Sequence, residues 1–172
     1  MIEEINNNVW KLSFKTIGSH VYIIKLDKII LIDTSTKQNM PEFIEDLKKL
    51  NLTPEKIDMV LLTHHHWDHI ENISMFTNAK IYGSRREFND DKVLDINDLN
   101  LEEIQVIKTP GHSEGGRCFL YKNILFSGDT LFHRGTIGRT DLPGSCPIKM
   151  TESIDKISKL KYKILCPSHG RE

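Results

Sequence analysis

The sequence predicts an α/β fold in which two sheets pack face to face with helices outside, a four-layer αββα sandwich. The chain divides into two halves, each made of short apolar strands followed by an amphipathic helix. Strands repeatedly end in small-residue turns that carry a histidine or an aspartate, as expected where functional groups gather on one rim of a rigid scaffold. The 172 residues fit one domain, 1–172, large enough to bury most of its apolar surface without disulfides or a structural metal.

In chain order, Val9 to Phe14, Val21 to Leu26 and Ile29 to Asp33 read as strands of a meander, the last two joined by Asp27-Lys28. Pro41 suits the first turn of a helix, where its missing N–H costs nothing, and Phe43, Ile44, Leu47 and Leu50 recur at helical spacing. Met59 to Leu62 is a short buried strand, followed by a histidine-rich loop and a short helix near Ile70 to Phe76. Lys80 to Tyr82 and Ile104 to Lys108 are strands, and Arg117 to Tyr121 pairs with Ile124 to Phe126 through Lys122-Asn123. Between them, Asn89 to Asn100 is rich in aspartate and asparagine and reads as loop. Met150, Ile154, Ile157 and Leu160 mark a second amphipathic helix, and Lys163 to Cys166 a last strand.

Lysine and arginine number 23 against 24 aspartates and glutamates, so no excess of positive charge points to nucleic acid or an anionic membrane. A small-molecule substrate fits this balance. The three cysteines, Cys118, Cys146 and Cys166, are widely spaced and read as reduced thiols of a cytoplasmic protein. The amino-terminal residues are acidic and polar where a signal peptide would be basic and then apolar, and no stretch approaches the ~20 apolar residues of a membrane span.

The densest chemical feature is Thr63-His64-His65-His66-Trp67-Asp68-His69. In an extended segment side chains alternate, so His64, His66 and Asp68 point one way while His65 and Trp67 point the other; His69 returns to the same centre at the first turn of the helix. Three later strands end in the same manner, at Thr109-Pro110-Gly111-His112, Ser127-Gly128-Asp129-Thr130 and Pro167-Ser168-His169-Gly170. Each of these residues taken singly reads as a turn or hydrogen-bonded group; the set reads as a metal centre.

Together these residues resemble the metallo-β-lactamase superfamily. The HxHxDH motif stands as His64, His66, Asp68 and His69, and the later single ligands match His112, Asp129 and His169. The segments from Ser127 to Phe132 and from Gly138 to Gly144 look like the glyoxalase II-like branch, which also includes persulfide dioxygenases. The resemblance implies a first metal site of His64, His66 and His112, a second of Asp68, His69 and His169, and Asp129 bridging them. It also implies that Asp33, at a strand end, supports a ligand imidazole. Asp68 and Asp129 are the expected catalytic carboxylates. The cofactors would be two divalent metal ions, zinc by default, with iron or manganese compatible with the same donors.

The implied activity is hydrolysis of a thioester or related small acyl ester by a hydroxide shared between two metals, as in hydroxyacylglutathione hydrolases. Four alternatives stand beside it. An iron-dependent persulfide dioxygenase would use His64, His112 and Asp129; a nuclease lacks the expected basic surface; and a metal-binding scaffold that kept the donors and lost turnover is opposed weakly, by the fact that no donor position is replaced. Surface loops with coincidental histidines are the remaining reading, and seven matching positions weigh against it. Two departures from the family pattern touch the pocket wall: Ser35 follows Asp33-Thr34 where glycine is usual, and Ser145-Cys146 follow Gly144 where a second glycine and an aspartate are common. The sequence ends three residues after His169, so the helical domain that glyoxalase II enzymes use for glutathione is expected to be absent. His65, His133 and Trp67 read as packing or rim residues, His20 as exposed, and Cys146 as an ordinary loop thiol. Arg139, Thr140 and Asp141 either hold their loop by hydrogen bonds and ion pairing or reach substrate.

Overall fold

The computed structural model describes residues 1–170 and has the expected four layers. A seven-stranded sheet runs β1 (Ile2–Asn6), β2 (Val9–Leu12), β3 (Val21–Lys25), β4 (Ile29–Ile32), β5 (Met59–Leu61), β6 (Lys80–Gly83) and β7 (Val93–Asp95) in spatial as well as sequence order. The first four strands are antiparallel, and β4 to β7 are parallel. A four-stranded sheet has the order β11 (Ile164–Pro167), β10 (Ile124–Gly128), β9 (Arg117–Tyr121), β8 (Ile104–Lys108), with only β10 and β11 parallel. The parallel steps need crossovers: α1 (Met40–Lys49) supplies the one from β4 to β5 and α3 (Pro147–Ser158) the one from β10 to β11, α2 (Trp67–Ile70) is a single turn on the way from β5 to β6, and a loop leads from β6 to β7.

The layering follows from the two-residue period of the strands. In β3, Tyr22 and Ile24 enter the core between the sheets, while Val21 and Ile23 pack on the α1 side against Phe43 and Leu47. In β10, Ile124 and Phe126 face the other sheet, and Leu125 packs with Ile157 of α3. Both faces of each sheet are therefore covered, which is why these strands read as continuous apolar runs instead of alternating ones. Tyr22 and Phe126 meet edge to face across the sheets with ring centroids 5.1 Å apart, and the Tyr22 hydroxyl donates to the Pro167 carbonyl at 2.6 Å.

Several local expectations change. Ile2–Asn6 forms an unanticipated edge strand, held in part by Lys11 pairing with Glu3 at 2.9 Å. The segment Asn89 to Asn100 contains β7, where Val93 is buried and Asp95 accepts from the Asn97 N–H to start a short 3-10 turn. The first meander strand stops at Leu12, not Phe14, and the β3–β4 turn spans three residues, Leu26 to Lys28. The helix placed near Ile70 to Phe76 starts earlier, at Trp67, and only a 3-10 turn at Ile73–Met75 occupies its expected body. Asp68 is thus helical and joins His69 in the first turn, so the alternation argument covers His64 and His66 alone.

Candidate metal centre

All seven donor residues come together where the strand ends of both sheets meet. The segment after β5 supplies His64, His66, Asp68 and His69; the turns after β8, β10 and β11 supply His112, Asp129 and His169. Three donor groups form, His64–His66–His112, His64–His69–Asp129 and Asp68–His69–His169, and in each the donor atoms lie within 4.8 Å of one another.

Distances separate an upper and a lower half. His66 Nδ1 lies 3.0 Å from His64 Nε2 and 2.8 Å from His112 Nε2. Asp68 Oδ2 lies 3.1 Å from His169 Nε2 and 3.7 Å from His69 Nε2. Asp129 stands between: Oδ2 is 3.5 Å from His112 Nε2, and Oδ1 is 3.5 Å from both His69 Nε2 and His169 Nε2. One carboxylate thus presents one oxygen to each group. Tetrahedral zinc with bonds of about 2.1 Å holds its donors roughly 3.4 Å apart, which is the scale of these separations.

The buried donors point inward because their other ring nitrogens are occupied. Asp33, at φ 59°, accepts from the Thr63 N–H and the Thr63 hydroxyl, each at 2.8 Å, and from His69 Nδ1–H at 2.8 Å. Since the Thr63 hydroxyl donates to Asp33, it is an acceptor toward His64 Nδ1, 3.0 Å away. His112 Nδ1–H donates to the Arg139 carbonyl at 2.7 Å. His64 and His112 therefore each turn an Nε2 lone pair toward the centre, and His69 directs its Nε2 there as well. Backbone bonds fix the same loops: Arg117 N–H to the Thr63 carbonyl at 2.9 Å, and Ser168 N–H to the Gly128 carbonyl at 3.1 Å.

Two inward atoms, His69 Nε2 and Asp129 Oδ1, are buried with no hydrogen-bond partner among the described residues. Orphaned buried polar atoms are costly, and a cation between these two would satisfy both. The donor chemistry, imidazole with carboxylate, also suits divalent transition metals. Electrostatics agree: burial and then the neighbouring imidazoles of His69, His112 and His66 hold His64 neutral, well below the ordinary range. Burial and His112 bring His66 down to about 4. Burial opposes ionisation of Asp68, yet His169 and His69 outweigh it and hold the carboxyl at about 2. Burial likewise disfavours charge on His69, but Asp33, Asp129 and Asp68 prevail and raise it to about 9. The centre lies deficient in positive charge on the Asp68–Asp129 side, where a cation would settle.

A cleft of about 670 Å³ opens over the donors, walled by Ile17, Trp67, Phe132, Leu142 and Pro143. Trp67 is a rim residue, and His65 turns from the centre toward Glu87, with Nδ1 3.7 Å from a carboxylate oxygen. The Arg139 side chain is exposed and pairs with Asp141 through two contacts of 2.9 and 2.8 Å; its backbone carbonyl is what serves the site. His20 is not exposed: its Nε2 meets the Gly170 carbonyl at 3.0 Å, and burial pushes the ring down to about 4. Thr63 went unrecognised in the sequence beyond marking a strand end; a hydroxyl beside the first histidine, with an aspartate ending the neighbouring strand, is the signal that would have revealed it. Ser35 occupies the left-handed region at φ 57° where the family uses glycine, and its hydroxyl accepts from Asn39 Nδ2 at 3.1 Å.

The family model of the metallo-β-lactamase superfamily matches residues 16–94 and 83–169. A probable metallo-hydrolase of Methanocaldococcus jannaschii is 38% identical over 144 residues, covering 82% of this chain and 71% of that protein. A hydroxyacylglutathione hydrolase of Buchnera aphidicola is 36% identical over 141 residues, covering 76% of this chain but only 53% of that protein, so the chain spans about half of it. Among solved structures, a protein crystallised in a di-iron-bound form superposes with TM-score 0.78 at 22% identity, covering 94% of this chain and 92% of that one. A metallo-β-lactamase family protein of Thermus thermophilus reaches 0.83 at 17% identity, covering 98% and 75%. The fold, the four-donor motif after β5 and these matches along both halves converge: the chain belongs to the metallo-β-lactamase superfamily.

Proposed function

We propose that the protein is a metal-dependent hydrolase that cleaves an acyl thioester or a related small acyl ester, with two divalent ions, zinc by default. The observation that carries the reading is Asp129, whose two oxygens face two separate donor groups at the floor of an open cleft. His64, His66 and His112 would hold one ion, Asp68, His69 and His169 the other, and Asp129 both. Bound there, the ions would activate water near neutral pH and polarise the carbonyl under attack. The residues of the chain do the rest. Asp33 and the Arg139 carbonyl fix the tautomers of His69 and His112, so neither ring has to reorient as charge develops. Asp68, held ionised at the cleft floor, can orient the attacking water, accept its proton and pass that proton to the departing thiol or alcohol. The apolar walls Ile17, Trp67, Phe132 and Leu142 exclude solvent from an acyl chain.

Relatives named as metallo-hydrolases and hydroxyacylglutathione hydrolases support hydrolysis over oxygen chemistry. Protein purified without added metal, assayed for metal content and then against acylthiols including S-lactoylglutathione, tests the proposal. Turnover with two zinc ions per chain is expected. Asp129→Asn should lower kcat at least 100-fold and reduce metal content while the far-ultraviolet circular dichroism stays unchanged. One iron per chain, with oxygen uptake on glutathione persulfide and no thioester cleavage, would replace this reading with a dioxygenase.

A further inference from the structure

A second cavity, of about 340 Å³, lies outside the metal cleft, and its lining is cationic: Arg85, Arg86, Lys108, Arg117 and Lys149, with Glu114 the one acid of the lining among the described residues and Glu152 pairing with Lys149 at 3.2 Å. These cations come from four separate places, the turn after β6, the end of β8, the start of β9 and the first turn of α3. In a chain with a net charge of −1, such a concentration is local and not a consequence of composition.

Two further observations point to an anion. Arg117 is only 5% exposed, its guanidinium donates to the carbonyls of Gly115 and Gly116 and to Ser84 Oγ, and no carboxylate lies within ion-pair distance of it among the described residues; Glu87 and Asp95 act on it from farther away. Its Nε is buried without a partner among the described residues. Such a group retains both a charge and a donor for a ligand. The other observation is α3 itself: its 12 residues begin at the cavity, the N-cap residue Cys146 makes no side-chain cap, and the first turn holds no acid. Pro147 has no N–H to offer and the Lys149 N–H bonds the Cys146 carbonyl at 2.9 Å, so what α3 turns toward the cavity is the positive end of its dipole, with no acid in its first turn to offset it.

We infer that this cavity binds the phosphate groups of a phosphorylated small molecule. A lone phosphate would leave much of it empty, since the volume is at the lower end of the roughly 300–1,000 Å³ of organic-ligand sites. Leu142 and Pro143 wall the metal cleft and Cys146 walls this cavity, so the segment 143–146 runs from one to the other. Resting on the thioester reading, the ligand is the carrier of the acyl group, a thiol bearing phosphates in the manner of coenzyme A.

The test is calorimetric titration of the metal-loaded protein with inorganic phosphate, ADP and coenzyme A, for wild type, the double variant Arg86→Ala/Lys149→Ala and the conservative pair Arg86→Lys/Lys149→Arg. ADP and coenzyme A should bind at least tenfold more weakly to the alanine variant, with affinity restored in the conservative one. The same alanine variant should raise KM for an acetyl-coenzyme A substrate about tenfold and leave an acetyl-pantetheine substrate unchanged. Equal affinities in wild type and alanine variant overturn the site. Inorganic phosphate binding as tightly as ADP overturns the phosphorylated carrier in favour of free phosphate. Binding that depends on Arg86 and Lys149, with neither thioester cleaved, keeps the site and removes the hydrolase reading.

Discussion

Asp33 concentrates more of the centre's order than any donor does. A single carboxylate accepts from Thr63 twice and from His69, with the Ser168 hydroxyl 3.4 Å away, so it ties the donor segment after β5 to the turn after β11. Asp33→Asn would place an N–H where one of these donors now points and would weaken metal affinity about 10- to 100-fold, measured by competition with a chelating dye. His20 supplies a pH prediction. Burial, with Lys11 and His169 adding to it, holds the ring at about 4 against an ordinary 6.5, with partial relief from the Gly170 carbonyl. Between those values the unfolded chain binds a proton that the folded chain does not, so stability falls as pH drops through the window and levels off below it. His20→Gln should flatten that part of a plot of Tm against pH; a slope equal to wild type would assign it to other groups. The convergence of the seven side chains was legible in sequence because so many metal-binding groups at strand ends point to one shared centre, and the structure brings them together. Asp33 was legible as their support, but Thr63 and the Arg139 carbonyl were not. A threonine has many uses at a strand end, and a backbone carbonyl carries no mark in a sequence.

The strand-end turn is the element that aims each donor. After β10, Gly128 takes φ 53°, and a Cβ there would stand 2.8 Å from Thr63 Cβ. Gly128→Ala should cost about 1–3 kcal/mol in chemical denaturation, since both the left-handed backbone and the contact oppose it. It should also reduce metal content, because the change adjoins Asp129. Elements with strong apolar periodicity, β3, β4, α1, β9, β10 and α3, were readable from the chain. β1 and β7 were not: Ile2-Glu3-Glu4-Ile5-Asn6 is mostly polar and Val93-Leu94-Asp95 is only three residues long amid acids and amides, and both are edge segments whose strand state comes from pairing with a neighbour. The helix after the histidines was misplaced because the chain turns as soon as the donors require it, at Trp67, before its apolar residues begin.

Across the whole molecule the centre draws on both sheets. Four donors follow β5 of the larger sheet and three follow strands of the smaller, and the sheets are also joined by the apolar core and by hydrogen bonds such as those of the Tyr22 hydroxyl to the Pro167 carbonyl, the His20 N–H to the Ser168 carbonyl and the Arg117 N–H to the Thr63 carbonyl. Removing metal should therefore lower Tm by on the order of 10 °C, because an ion at about 1,000 times its Kd contributes roughly 4 kcal/mol and each kcal/mol moves a domain of this size about 2–4 °C. Differential scanning calorimetry with and without a chelator checks this, and an unchanged Tm would mean that the ions are held by one sheet alone. The layered fold was readable from strand and helix order, whereas this cross-sheet division of donors emerged only once the strands had been paired.

Each of the three donor groups contains residues from both sheets. With the proposed two ions, neither would acquire its full set of donors until the two halves of the chain had docked in register. Metal content would then be a measure of assembly before it is a measure of activity: a sample whose halves are misaligned would reveal itself by the ions it fails to retain.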